Sequence, residues 1–305
     1  MTISVTTFGK INLSLRSGPV DEHGYHPLRT VFASLDLRET ISVTPASEFT
    51  LRVANDPAGL VPLDESNLAT RAAKLLAERV GRRPDVAIEI VKGVPVAGGM
   101  GGGSADAAGA LLALNELWEI GLHPRQLAAI ARPLGADVPF AVLGGVALGT
   151  GRGDSVQPVP SAVPLHFALA FQDEGISTAG AYRAYDALSP RALNQDAESA
   201  LLAALAAGDL LAIGAELHND LQPVALQFIP RLAQVMDLAT GQGALGVIVS
   251  GSGPSVAALA RDADHAAEIC AAWLASGTVS GARTAVTVTP DEAREASSAT
   301  HAAFA

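Results

Sequence analysis

The stretch Pro95-Val96-Ala97-Gly98-Gly99-Met100-Gly101-Gly102-Gly103-Ser104-Ala105-Asp106 constrains this chain more than any other part of it. Five of the twelve residues are glycines. They follow a strand-like run, Val86–Val91, and precede an alanine- and leucine-rich helical pattern that opens at Ser104 and runs to about Trp118. Without side chains, backbone N–H groups can close on an anion, and a helix N-terminus adds partial positive charge. The chemistry implied is phosphate binding, of a nucleotide. A merely flexible loop would account for the glycines but not for their position between strand and helix. Two other phosphate loops are absent or misplaced. No Gly-x4-Gly-Lys-[Ser/Thr] string occurs, and Gly241-Gln242-Gly243-Ala244-Leu245-Gly246 follows a helical stretch and precedes a strand, the reverse of the dinucleotide-binding order.

Around this loop the pattern mixes strands and helices without regular βαβ spacing, which favours α+β in two layers. Alternation predicts strands at 3–8 and 11–15 around Gly9-Lys10, then at 30–37, 40–44 and 86–91. Ser66 reads as the cap of a helix from Asn67 to Val80 that Gly81 ends. A helix over 124–134 and a strand over 141–148 follow. Three prolines within 153–164 mark a boundary, and at about 150 residues per domain the 305-residue chain divides into 1–158 and 159–305. The second part carries strand patterns at 165–171, 245–249, 255–260 and 284–289, and helical ones at 178–188, 196–206, 209–218, 229–240 and 263–275. The Ala-, Ser- and Thr-rich tail after about 292 is expected to fray.

Composition excludes several classes. With 49% hydrophobic and 17% charged residues the chain is neither disordered nor fibrous. A net charge of −11 argues against nucleic acid as the main partner. The single cysteine, Cys270, permits no internal disulfide and reads as a small core residue. Residues 238–260 are uncharged and of membrane-spanning length, but their five glycines and Pro254 fit a helix end, a buried strand and a loop instead. The N-terminus lacks a basic, then apolar, leader. A cytoplasmic protein without membrane contact is expected.

Three motifs in order now carry a resemblance. Pro-x3-Gly-x-Gly-Gly-Gly-Ser-Ala resembles the second motif of the galactokinase, homoserine kinase, mevalonate kinase and phosphomevalonate kinase superfamily. Gly9-Lys10-Ile11-Asn12-Leu13 is similar to its first motif and Val249-Ser250-Gly251-Ser252-Gly253-Pro254-Ser255 to its third. Gly24-Tyr25-His26-Pro27-Leu28 and Gly135-Ala136-Asp137-Val138-Pro139-Phe140 resemble the branch whose substrate is a cytidine diphosphate conjugate of methylerythritol. That branch phosphorylates the substrate's 2-hydroxyl with ATP, in the non-mevalonate route to isoprenoid precursors. The resemblance implies an N-terminal half like the second domain of ribosomal protein S5 and a ferredoxin-like C-terminal half, with the site between them. It reads Gly9 as replacing a common alanine, and Gly101 as replacing Ala or Leu.

The residues also suggest chemistry of their own. Phosphoryl transfer needs positioning, charge stabilisation and a base beside the attacking hydroxyl. Asp137, a short carboxylate at a helix-to-strand junction before Pro139, suits the base, and the Lys10 ammonium could offset developing negative charge. The resemblance assigns the same two residues as the catalytic pair. Asp106, Asp154 and Asp36 are rival carboxylates; Asp106, read in the first turn of the loop helix, suits a structural role, and Asp154 can cap a turn. The ATP phosphates are expected over Pro95, Val96, Ala97, Gly98, Gly99, Met100, Gly101, Gly102, Gly103, Ser104 and Ala105, with Ser104 serving a phosphate, Mg²⁺ or the helix as its cap. Asn67 resembles an adenine-side asparagine, though helix capping would also explain it. For the substrate, Tyr25 and His26 offer a ring face and a polar edge, Tyr182 a second face with Tyr185 its competitor, and Asn12 an amide for the erythritol or diphosphate. His218-Asn219-Asp220-Leu221 is expected to be structural. Histidines lack metal-ligand spacing, so bound zinc is not expected. ATP with Mg²⁺ and the cytidine conjugate are therefore the expected ligands; no pattern assigns metal ligands or an oligomeric state. A sister kinase acting on mevalonate or homoserine, or a nucleotide-binding protein without turnover, remains the alternative.

Overall fold

A long antiparallel hairpin organises the first half of the chain. In the computed structural model, which describes all residues except 57, 97, 189–190, 298–299 and 303–305, β1 (Thr2–Ser17) pairs with β2 (Leu28–Pro45) along nearly its whole length. The two pairs of short strands expected here are two long ones. What looked like breaks are shifts of register in the hairpin: between Phe8 and Lys10, which face Arg38 and Ser34, the extra residues lie in β2, and between Asn12 and Ser14, which face Phe32 and Val31, the extra residue lies in β1. Such bulges bend a strand and re-aim its side chains without ending it. Gly9 faces the first shift and makes room for its neighbours: a Cβ there would stand 3.0 Å from Val94 Cγ2 and 3.3 Å from Leu37 Cβ.

The same sheet gains β3 (Thr50–Ala54), β4 (Val86–Val91), β5 (Val146–Thr150) and β6 (Ser155–Pro158). Helices α1 (Leu68–Arg79), α2 (Gly102–Leu117), α3 (Pro124–Ala131) and α4 (Val138–Leu143) join it. Ala69, Ala72, Ala73 and Leu76 of α1 and Ala107, Leu111 and Leu114 of α2 share a core with Ile3, Ile41 and Ile88. The expected strand over 141–148 divides instead. Pro139, tolerated in a helix's first turn, opens α4, and Gly144-Gly145 separates it from β5. The cap of α1 is Asn67 rather than Ser66, and α2 starts two residues earlier than read, with Gly101 as its cap.

In the second half, β7 (His166–Phe171), β9 (Gly246–Val249), β10 (Val256–Ala260) and β11 (Gly281–Val286) form an antiparallel sheet in the order β11-β7-β10-β9. Around it lie α5 (Thr178–Asp186), α6 (Ser199–Ala207), α7 (Leu210–Ala215), α8 (Gln222–Phe228), α9 (Arg231–Gly241) and α10 (Ala263–Ser276). The helix α8 was not anticipated; Ile229-Pro230 separates it from α9. The Gly241–Gly246 segment joins α9 to β9, as its order in the sequence required. Cys270 is buried in α10 beside Trp273. Among the described residues no helix is long and apolar enough to cross a membrane.

The two sheets share a core: Ile11, Leu13 and Leu35 meet Phe167, Leu169 and Leu259. Within the proline-rich boundary β6 still belongs to the first sheet, and the second begins at His166. Two later segments return to β1. The short β8 (His218–Asn219) pairs with it in parallel, and β12 (Thr300–Ala302) adds along its outer edge. Of the tail expected to fray after about 292, residues 298–299 and 303–305 lie outside the described residues, while the described part includes α11 (Pro290–Ser297), which lies against β1 with Ala293 and Val288 packed on Phe8. Its polar surface carries too little apolar periodicity to be read from sequence. The result is the expected α+β architecture.

Candidate active site

A cleft of about 1160 Å³ is lined from both halves of the chain, by Lys10, Asn12, Asp137 and the glycine loop on one side and by Tyr182, Gly251 and Ser252 on the other. The loop is held at several points. Lys10 N–H donates to Met100 O at 2.9 Å, and Ser250 Oγ donates to Gly99 O at 3.2 Å. Behind Gly99 the third-motif loop approaches so closely that a Cβ would fall 2.4 Å from Ser250 O. Asn219 fixes that loop in turn, its Nδ2 donating to both Val249 O and Gly251 O at 2.7 Å. The structural role expected of His218–Leu221 is thus filled through Asn219.

Gly101 caps α2 with φ +72°, in the left-handed region. A Cβ there would meet Lys10 Cγ at 3.0 Å, so an Ala or Leu at this position would be strained and would press on Lys10. Glycine at 101 is thus what this backbone requires, and the buried neighbour Met100 carries the apolar side chain of the loop here. The first-turn N–H groups of Gly102, Gly103 and Ser104 have no carbonyl behind them in the helix, as at any helix start. Ser104 is the third residue of α2 and does not cap it; it lines the cleft. Pro95, Val96, Gly98 and Gly99 also line it. Ala105 is fully buried with its carbonyl accepting from Thr7 Oγ1 at 2.9 Å, and Ala97 lies outside the described residues. Asn67 faces the cleft too, yet its side chain accepts from Ala69 N and Thr70 N while donating to Pro62 O.

Lys10 and Asn12 stand two residues apart on the regularly paired stretch of β1 between the two register shifts, so strand alternation points both to one spot. Lys10 Nζ donates to Asn12 Oδ1 at 2.8 Å and stands 3.3 Å from Asp137 Oδ2. Asn12 Nδ2 donates to Thr30 Oγ1, which donates to Ser14 O, so the chain of donors fixes the amide and through it the ammonium. Lys10 is 6% exposed, which leaves little freedom for another geometry. Asp137 lies at a helix-to-helix junction rather than helix-to-strand; it occupies the cap position of α4 but makes no capping bond with its side chain. Its carboxylate is therefore available to a hydroxyl. Asp36 accepts from Val286 N and Asp154 from Arg152 N, both structural contacts.

At the other end stand the rings. His26, expected to offer a polar edge, also stacks on Tyr182 with centroids 4.8 Å apart, so no base fits between these two rings. His26 Nδ1–H donates to Gly18 O at 2.8 Å and Nε2 lies 3.4 Å from Asp186. Tyr182 lines the cleft; burial, then the Asp137 charge, raises its hydroxyl far above the ordinary tyrosine value. Tyr185 is 7% exposed and donates to Ser17 O at 2.6 Å, a structural anchor. Tyr25 is half exposed, with the Arg152 guanidinium 3.3 Å over its ring.

Two features escaped the sequence reading. Lys92, directly before the loop, holds Glu39 Oε1 at 2.6 Å and Asp106 Oδ2 at 2.8 Å, all three buried. Asp106 sits beyond the first turn of α2, so this ion pair rather than the helix dipole accounts for it. Gly102 rests on the cluster, a Cβ there lying 3.3 Å from Lys92 Nζ. Burial, reinforced by Asp106, raises the Glu39 carboxyl to about 7 despite Lys92. An acid in an otherwise alanine-lined helix face was the available signal. The second feature is Arg152, in a glycine-flanked turn that carried no signal.

A glycine-lined helix start beside a lysine–carboxylate pair, in a cleft between two α+β halves, defines a phosphate-handling site for a small hydroxyl-bearing molecule. Comparison with known proteins agrees: the family models described as "GHMP kinases N terminal domain" and "GHMP kinases C terminal" match residues 67–145 and 201–299. A 4-diphosphocytidyl-2-C-methyl-D-erythritol kinase of Thermobifida fusca is 45% identical over 292 residues, covering 93% of this chain and 95% of its own. One of the same name from Streptomyces avermitilis is 44% identical, covering 95% and 98%. A crystal structure of 4-(cytidine 5'-diphospho)-2C-methyl-D-erythritol kinase superposes with TM-score 0.76 at 34% identity, over 93% of this chain and 98% of that one. The chain belongs to the GHMP kinases and, within them, to the 4-diphosphocytidyl-2-C-methyl-D-erythritol kinase family.

Proposed function

We propose that this chain transfers the γ-phosphoryl group of ATP to the 2-hydroxyl of 4-diphosphocytidyl-2-C-methyl-D-erythritol, with Asp137 and Lys10 as the reacting pair. Asp137 takes the hydroxyl proton as the substrate oxygen bonds to the γ-phosphorus and the bond to the ADP oxygen breaks. Lys10 holds the hydroxyl and offsets its growing negative charge. The observation that carries this is the 3.3 Å contact between Lys10 Nζ and Asp137 Oδ2, next to a loop that Lys10's own backbone tethers through Met100. The N–H groups at the start of α2 receive the triphosphate, with Asn67 towards the adenine. Asn12 serves the reacting end, while Tyr25, His26 and Tyr182 form the cytidine end; the stacked His26 stiffens Tyr182, and Tyr25 presents the accessible ring.

Mg²⁺ belongs to the proposal as the companion of ATP. Among the described residues no group of three or more His, Cys, Asp or Glu side chains could hold a metal ion. The donor set thus fits an ion that arrives on the phosphates, with the Ser104 hydroxyl at the loop, and there it would neutralise phosphate charge. A cytoplasmic location accords with the ATP requirement.

ADP release by the purified chain, measured with this substrate beside mevalonate and homoserine, tests the reading. Release with the cytidine conjugate alone is expected. Release with mevalonate or homoserine instead would refute the substrate, and ATP binding without turnover on any of the three would refute the enzyme.

A further inference from the structure

We propose that Arg152 reads the diphosphate of the substrate and so selects diphosphate-bearing cytidine compounds over cytidine itself. The inference rests on the function just proposed. Its residue lies in Gly151-Arg152-Gly153, the turn between β5 and β6, where Gly151 and Gly153 both have positive φ and Asp154 Oδ1 accepts the Arg152 N–H. The turn touches both ends of the cleft. Gly151 O accepts from Leu28 N at 2.6 Å, two residues after His26, and Gly153 lies against Ala136, whose Cβ would be 3.9 Å from an added Cβ, directly before Asp137. A substrate with its base at Tyr25 and its hydroxyl at Asp137 must carry the linking diphosphate past this turn.

The state of the side chain supports the assignment. Its guanidinium stands 3.3 Å over the Tyr25 ring centroid, a cation–π contact that neither neutralises its charge nor uses its five N–H donors. Among the described residues no carboxylate pairs with it within ion-pair distance, although Asp21 feels its charge. Lys10 is engaged with Asp137 and Asn12, and Lys92 with Glu39 and Asp106, whereas Arg132, the cap residue after α3, also lines the cleft and is a competitor that Arg132→Ala tests beside the variants below. A planar guanidinium can give two parallel N–H bonds to a phosphate, which a bound nucleoside cannot accept. Arg183, one residue beyond Tyr182, is a second competing cation; its NH2 group lies back along α5, 3.8 Å from a Cβ added at Gly180.

The test is the affinity of CDP, CMP and cytidine for the full chain, for Arg152→Ala, Arg152→Lys, Arg183→Ala and Arg132→Ala, together with KM for ATP. The wild type is expected to prefer CDP to cytidine strongly. Arg152→Ala should cut that preference about tenfold, through CDP alone, with KM for ATP unchanged; Arg152→Lys should restore part of it. An undiminished preference in Arg152→Ala, an equal loss for cytidine, or a collapse in Arg183→Ala or Arg132→Ala instead would overturn the assignment. Wild-type protein that binds neither CDP nor cytidine would refute the substrate reading itself, a result distinct from these because it needs no variant.

Discussion

Replacing Gly101 by alanine separates the geometric requirement of the loop from its chemistry. Two costs are legible. The backbone at φ +72° charges an alanine about 1 kcal/mol relative to glycine. The new Cβ would also stand 3.0 Å from Lys10 Cγ and 3.3 Å from Cε, where carbon atoms prefer about 3.5–4.0 Å. One of the two must retreat by roughly half an ångström or more. Helix α2 is fixed by its core, so the motion falls on Lys10, whose ammonium loses its alignment with Asn12 and Asp137. A displacement of that order costs on the order of 10- to 100-fold in rate, since about 1 Å can cost 100-fold. The assay is kcat from ADP release, with a thermal melt of the same sample. Gly103→Ala is the stability control: its added Cβ meets nothing nearer than Leu68 Cδ1 at 3.6 Å, and its φ is not positive, so the melt should be unchanged or slightly higher. A Gly101→Ala protein with full kcat and an unchanged melt would refute this reasoning.

Other consequences follow from the buried groups. Lys92→Met leaves Glu39 and Asp106 facing each other without a cation and should cost about 3–5 kcal/mol in denaturant unfolding; a loss below 1 kcal/mol would deny the cluster its role. Because folding raises the Glu39 carboxyl from 4.5 to about 7, the folded chain binds more protons than the unfolded one between those values. Its contribution is thus most favourable below pH 4.5 and is lost as pH rises to about 7, by up to about 3 kcal/mol. The difference in unfolding free energy between wild type and Glu39→Gln, followed across that window, should change accordingly, and a constant difference would contradict it. Tyr185→Phe removes the 2.6 Å bond to Ser17 O and should cost about 1 kcal/mol with KM for the cytidine conjugate preserved. Tyr182→Ala should instead raise that KM, so the reverse pattern would exchange their roles.

Where neighbours in sequence are neighbours in the site, the site was legible. The glycine loop, the helix after it, and Lys10 and Asn12 two residues apart on one strand face all follow from local pattern. The strand itself was misread because Gly9 looks like a break, whereas β1 runs on through it, with Val94 packed closely on the glycine and the extra residues of the register shift on β2. Glu39 comes from β2, Asp106 from α2 and Lys92 from the residue just past β4, and local periodicity says nothing about which charges meet in a core. The same holds for α11 and β12, whose place against β1 depends on a tertiary return of the chain. Asn67 and Ser66 are adjacent capping types, and only the turn before α1, with Ser66 bonded to Asp64, decides between them. His26 and Tyr182 were each singled out by sequence and both line the cleft, but their mutual stacking required the structure.

The most direct test of the central claim is single-turnover transfer from labelled ATP to the cytidine conjugate by Asp137→Asn, with ATP affinity measured by calorimetry on the same protein. The carboxylate that faces Lys10 at 3.3 Å is then absent while the loop is untouched. Transfer slowed about 10²- to 10⁴-fold with ATP affinity preserved is the expected result. Transfer at the wild-type rate would contradict the account.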